Sequence, residues 1–124
     1  MPVIAGVALG GALGASARYL LDRLIEGRSE SVFPWATFLI NLSGCFLIGL
    51  ISATLIDRHH LPAWVRVGLV MGVIGGYTTF STFAQEGLDL VDARDLLAAV
   101  AYIGGSVVLG IVAVYLGRTT GRVL

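Results

Sequence analysis

Four long apolar runs, at residues 3–21, 32–56, 61–84 and 96–117, leave this chain of 124 residues few ways to bury its surface. Each run holds about 19 to 25 residues, and at ~1.5 Å of helical rise per residue each crosses a hydrocarbon core of ~30 Å. The linkers at 22–31, 57–60 and 85–95 are too short to fold by themselves. Only 13 % of the residues are charged and 56 % are apolar, whereas an ordinary soluble domain is about 25 % charged. The expectation is one all-α membrane domain over residues 1–124, with four transmembrane helices against a lipid bilayer. Ala15-Ser16-Ala17 imitates a signal-peptidase site, but only Met1 and Pro2 precede the apolar run, without the positive n-region of a signal peptide. The first run therefore reads as a retained helix.

Four spans put both termini and the 57–60 loop on one membrane face, and the 22–31 and 85–95 loops on the other. All eight basic residues are arginines. Arg58, Arg66, Arg118 and Arg122 fall on the first face; Arg18, Arg23, Arg28 and Arg94 fall on the second. Lys/Arg bias sets orientation and acids contribute little, so the chain states almost no preference. That balance predicts dual topology, with copies inserted both ways up and paired antiparallel. Gly6, Gly10 and Gly14 form a small-residue face on the first span, suited to close helix packing, within the chain or across a dimer.

Several motifs carry no chemistry. Cys45 is the only cysteine and sits mid-span, where it reads as a small buried hydrophobe. Asn41-Leu42-Ser43 matches a glycosylation sequon at membrane depth. His59 and His60 are adjacent in a loop and lack the one-turn spacing and further ligands of a metal pair. There is no phosphate-binding glycine loop, no lysine, no nucleophile beside a base, and nothing that suggests a nucleic-acid partner. An enzyme is not expected.

The informative residues are polar groups at depth. Thr37 and Asn41 stand one turn apart in the second span, as do Tyr102 and Ser106 in the fourth. The third span contains "GVIGGYTTFSTFAQE", residues 72–86. Glycine costs about 1 kcal/mol relative to alanine in a helix and threonine adds to that, so a break is expected over Gly75–Thr79. A break in lipid frees backbone carbonyls, which protein or an ion must satisfy. Carbonyls at a half-helix C-terminus suit a cation. Past the break, Phe80 and Phe83 share a face, and aromatic rings carry a positive edge. Ring edges, the Asn41 amide and the hydroxyls of Thr79, Ser81 and Thr82 form weak donors with no fixed positive charge. Such a set suits passage of a small, hard anion that must shed water and leave again.

"GGALGASARY", "TFLINLSGCFLIG" and "GVIGGYTTFSTFAQE" resemble the CrcB/Fluc fluoride channels over nearly the whole chain. The resemblance implies an antiparallel, dual-topology homodimer with two pores, exporting fluoride passively across the bacterial inner membrane. It makes Phe80 and Phe83 the paired phenylalanines of the pore, Asn41 its amide donor, and Thr37, Tyr102 and Ser106 part of a polar track. Gly75 and Thr78 would offer backbone carbonyls to a structural sodium ion at the dimer two-fold. Arg18 matches the arginine that ends the family's first helix motif, and Glu86 the acid that follows its third. Gly110 departs from relatives that continue the hydroxyl track beyond Ser106. The competing class is a small four-helix, proton-coupled multidrug exporter, which needs an embedded carboxylate. By the span boundaries above, every acid lies at a span end or in a loop. A purely structural subunit would not need Asn41 and the hydroxyls at depth, each costly when unpaired.

Overall fold

The computed structural model describes residues 1–124, and all of its regular structure is helical. Four helices are long and apolar enough to cross a membrane: α1 (Val3–Glu26), α2 (Trp35–Ile56), α3 (Ala63–Asp92) and α4 (Leu96–Val123). Pro2, Pro34 and Pro62 each stand immediately before a helix. There a missing N–H costs nothing, because the first turn has no intrahelical acceptors for its donors. Their carbonyls start the ladders, with Ala5, Phe38 and Val65 N–H groups donating to Pro2, Pro34 and Pro62. Asp95 opens α4 by accepting from the Ala98 N–H at 3.2 Å. Arg94, in the turn before it, holds the left-handed conformation at φ 58°.

Three of the four helices, α1, α3 and α4, overrun the expected apolar boundaries at their C-terminal ends, while α2 ends where expected and starts three residues later. Hydropathy stops at the first charged residues, but backbone hydrogen bonding does not. At 28 residues, α4 is ~42 Å long, well over the ~30 Å hydrocarbon core, so its polar ends extend past the lipid tails. π-helical turns widen α2 at Ser52–Ile56 and α3 at Gly68–Ile74.

Two glycine seams set the packing. The Gly6, Gly10 and Gly14 face of α1 lies within the chain, against the Gly68 and Gly72 side of α3; a Cβ at Gly6, Gly10 or Gly14 would collide with the carbonyl oxygen of Trp64, Gly68 or Val73. The second seam joins α2 to α4, where a Cβ at Gly49 or Gly117 would strike the carbonyl of Val114 or Phe46. Without a hydrophobic drive between helices in lipid, this close approach supplies the dispersion contacts that hold them together. Gly14→Ala and Gly117→Ala are therefore expected to cost about 1–3 kcal/mol, as overpacking does. Gly11→Ala is the control, since a Cβ there meets nothing within 4 Å. Thermal midpoints in detergent read the difference, and equal midpoints for the Gly14 and Gly11 variants would refute the seam.

Only 20 of the 124 residues are buried. The core is small: Tyr102 is fully enclosed, with Leu90 and Ala99 around it and Phe33, Phe38 and Phe83 packed on its edge. Ala36, Ile40, Ala53, Ile74 and Tyr77 are buried elsewhere between the helices, and many large apolar side chains are exposed, as expected where lipid or another membrane helix covers them.

Candidate functional site

α3 opens at Thr78 and Thr79, both in extended conformation (ψ 160° and 125°), and resumes at Phe80. The glycines are not the break. Gly75 and Gly76 remain helical, and Gly76 serves packing, since a Cβ there would lie 2.8 Å from the Gly11 carbonyl oxygen. The expected break over Gly75–Thr79 thus narrows to two threonines. β-Branched residues tolerate extended backbone well, and this pair has partners for it. Thr79 caps the second half of α3: its Oγ1 accepts from the Thr82 N–H at 3.3 Å and donates to Thr82 Oγ1 at 3.1 Å. Thr78 Oγ1 donates back to the Ile74 carbonyl at 2.9 Å.

Asn41 closes the gap from α2. The Thr79 N–H donates to Asn41 Oδ1 at 2.8 Å, and Asn41 Nδ2 donates to the Thr79 carbonyl at 2.9 Å. A backbone donor on one side and a backbone acceptor on the other fix the orientation of the amide. Asn41 is thus first a staple for the opened backbone; one Nδ2 hydrogen remains for a second acceptor. In a continuous helix the Thr79 N–H would donate to Gly75 and the Thr82 N–H to Thr78. Both are diverted, to Asn41 and to Thr79 Oγ1, so the Gly75 and Thr78 carbonyls lose their regular donors.

Beside the break lies a cavity of about 320 Å³ that brings Asn41, Thr79, Phe80, Phe83 and Ser106 together and has no carboxylate, arginine or histidine in its wall. The Phe80 and Phe83 ring centroids are 5.7 Å apart. Phe83 is half-buried, 5.2 Å from the Tyr102 ring, whereas Phe80 is 78 % exposed. Ser106 Oγ is buried and has no hydrogen-bond partner in the chain. A buried hydroxyl without a partner costs about 1–3 kcal/mol.

A second cluster forms around Glu86. Thr37 Oγ1 donates to Glu86 Oε1 at 2.9 Å and the Tyr102 hydroxyl donates to Oε2 at 2.6 Å. Two members of the expected polar track therefore spend their donors on a carboxylate. Glu86 itself is half-buried and lies on the last turns of α3, two residues past the apolar run, where a loop is expected from the sequence. The apolar run ends at residue 84, but Phe83, Glu86 and Leu90 follow one another at helical spacing on a continuing helix, a signal that hydropathy alone passes over.

Arg18 stands apart from the cavity beside the break. It lines a smaller one of about 170 Å³ with Asp22, Thr37, Thr79 and Thr82. Thr79 borders both spaces. Ser81 is exposed and lines neither. Gly75 is also exposed, and a Cβ there would meet only the Val70 carbonyl oxygen, at 3.7 Å.

These features define a multi-pass helical membrane protein whose third helix opens beside an uncharged, hydroxyl- and phenyl-lined cavity. The chain belongs to the CrcB family: the pattern of "CrcB-like protein, Camphor Resistance (CrcB)" matches residues 5–118. It is 50 % identical over 118 residues to a "Fluoride-specific ion channel FluC" of Acidobacterium capsulatum, covering 94 % of this chain and 93 % of that one. A protein of the same description from Flavobacterium psychrophilum is 40 % identical over 124 residues, the whole of both chains. Another from Chloroflexus aurantiacus is 43 % identical over 119 residues, covering 96 % of this chain and 94 % of that one.

Proposed function

We propose that this protein is a fluoride-selective channel that lets the anion leave the bacterial cytoplasm passively across the inner membrane. The observation that carries this reading is the unpartnered Ser106 hydroxyl, buried in a cavity wall without fixed charge. A small anion would accept from Ser106, from the free Asn41 Nδ2 hydrogen and from the positive edges of Phe80 and Phe83. Weak donors in series replace hydration stepwise, while a buried arginine would hold the ion too tightly to conduct. Thr37 and Tyr102 act through Glu86 in this reading, with their hydroxyls held by its carboxylate. Arg18, in the adjoining smaller cavity, raises the local concentration of anions without touching the narrow path. Fluoride efflux from liposomes holding the purified protein, with chloride as control, tests the function. Ser106→Ala should fold at least as well as the parent, since it removes an unpaired buried hydroxyl, yet conduct more slowly. Efflux of chloride as fast as fluoride would refute selectivity.

The same reading makes the working unit an antiparallel dimer with two pores. The exposure of Phe80 supports it, because one chain alone leaves that side of the path unwalled. The balanced arginines support copies inserted in both orientations. A tag at Leu124 should therefore be reached from both sides of intact membranes, and labelling from one side only would overturn the arrangement.

The opened segment fits a structural sodium ion. The Gly75 and Thr78 carbonyls lack their helical donors and stand at the negative end of a half-helix. Hard cations take roughly six oxygen ligands, so two carbonyls from one chain require matching groups from a second copy. Exchanging sodium for a large organic cation should loosen the dimer. Stoichiometric movement of sodium with fluoride would show instead that the cation is cargo.

The half-buried carboxyl of Glu86 favours a proton-coupled exporter as the second reading. Its two oxygens already accept hydroxyls from Thr37 and Tyr102, and the cavity beside the break contains no carboxylate. Fluoride efflux that proceeds without any proton gradient separates the two readings in favour of the channel.

A further inference from the structure

A lone mid-span cysteine reads as a small buried hydrophobe, but Cys45 has a more specific setting. It stands one turn beyond Asn41 on α2, is a half-buried free thiol, and lines the same cavity as Asn41, Phe80, Phe83 and Ser106. Across from it on α4, one turn beyond Ser106, is Gly110. A Cβ on Gly110 would lie 3.5 Å from Cys45 Sγ, in van der Waals contact. The residue facing the next step of the α4 track therefore has no side chain, and the sulfur of α2 borders the space it leaves. The Ser106 hydroxyl, on the wall of the same cavity, is buried without a hydrogen-bond partner in the chain.

We propose that the Cys45 thiol is a further donor on the path, one turn beyond Asn41, so that the only sulfhydryl of the chain faces the permeating anion. An S–H group donates weakly, as an anion in transit requires. The inference rests on the cavity being the anion path. It makes Cys45 a modification site at which a small neutral reagent closes that path. With methyl methanethiosulfonate, the Cys45 sulfur attacks the sulfenyl sulfur, a disulfide to a methylthio group forms, methanesulfinate leaves, and the thiol proton passes to water. The added group projects into the space over Gly110.

Fluoride efflux from liposomes, read before and after the reagent together with the mass of the intact protein, tests this. Modified parent protein should lose at least about tenfold in flux, corresponding to ~1.4 kcal/mol on the barrier. Cys45→Ala should conduct and be indifferent to the reagent. Cys45→Ser, which keeps a donor, should retain more flux than Cys45→Ala or Cys45→Val. Excess fluoride should slow the modification. Complete modification with unchanged flux overturns the proposal, and so does a conducting parent whose thiol never reacts. An unmodified parent that passes no fluoride overturns the channel reading, and this proposal with it.

Discussion

Phe80→Ile and Phe83→Ile are expected to lower fluoride flux at least tenfold while leaving the protein folded. Isoleucine keeps most of the apolar volume but removes the ring and its positive edge. Volume-conserving apolar swaps usually cost under ~1.5 kcal/mol. At position 80 the cost should be smaller still, because the ring is 78 % exposed in one chain. Phe83→Ile also loses the contacts with Phe80 and Tyr102 at 5.7 and 5.2 Å, so its stability should fall further. If ring edges touch the ion, flux falls equally in both variants despite that difference in stability. Methionine, with a polarised methyl on sulfur, should restore more flux than isoleucine at either site. Efflux assays beside thermal midpoints read both quantities. Folded variants that conduct like the parent would exclude the rings from the path.

Asn41→Asp is the other substitution with a large expected effect, and it acts twice. The staple needs a donor towards the Thr79 carbonyl and an acceptor for the Thr79 N–H. An ionised carboxylate keeps the acceptor, loses the donor, and points a negative oxygen at a carbonyl. An unpaired buried polar group costs about 1–3 kcal/mol, and the new charge also repels an anion in the adjoining cavity. Asn41→Ser removes most of the staple but adds no charge. Both variants should be destabilised, and Asn41→Asp should conduct least. Asn41→Asp with the thermal midpoint and flux of the parent would show that the break at Thr78–Thr79 holds without its staple.

Much of this was legible before any coordinates. The helix starts at Trp35 and Ala63 fall just after Pro34 and Pro62, a signal that apolar counting passed over when it began those runs at 32 and 61, although the fixed φ and missing N–H of proline suit that position. The glycine periodicity of α1 announced a close contact, although spacing alone could not say with which helix. The structure assigns it to α3 of the same chain, through contacts such as Gly10 with Gly68. Phe80, Phe83, Asn41 and Ser106 were recognisable as polar or polarisable groups at depth. The pairing of Thr37 and Tyr102 with Glu86 was not, because apolar counting ended the third span before Glu86.

What the sequence determined by itself is the membrane class, the number of helices, and an interior at mid-depth without fixed charge. Those follow from hydropathy, run length and the identity of neighbours within a turn or two, all local properties. What only the tertiary structure decided is where α3 opens and which partner each donor meets. Local propensity pointed to the whole of Gly75–Thr79, but Gly75 and Gly76 remain helical, and Gly76 packs closely against the Gly11 carbonyl of α1. The opening falls at Thr78 and Thr79 because Asn41, 38 positions away in the chain, replaces the backbone bonds that Thr79 gives up. A helix in lipid breaks where another part of the fold can satisfy its freed groups, and that place is set by packing.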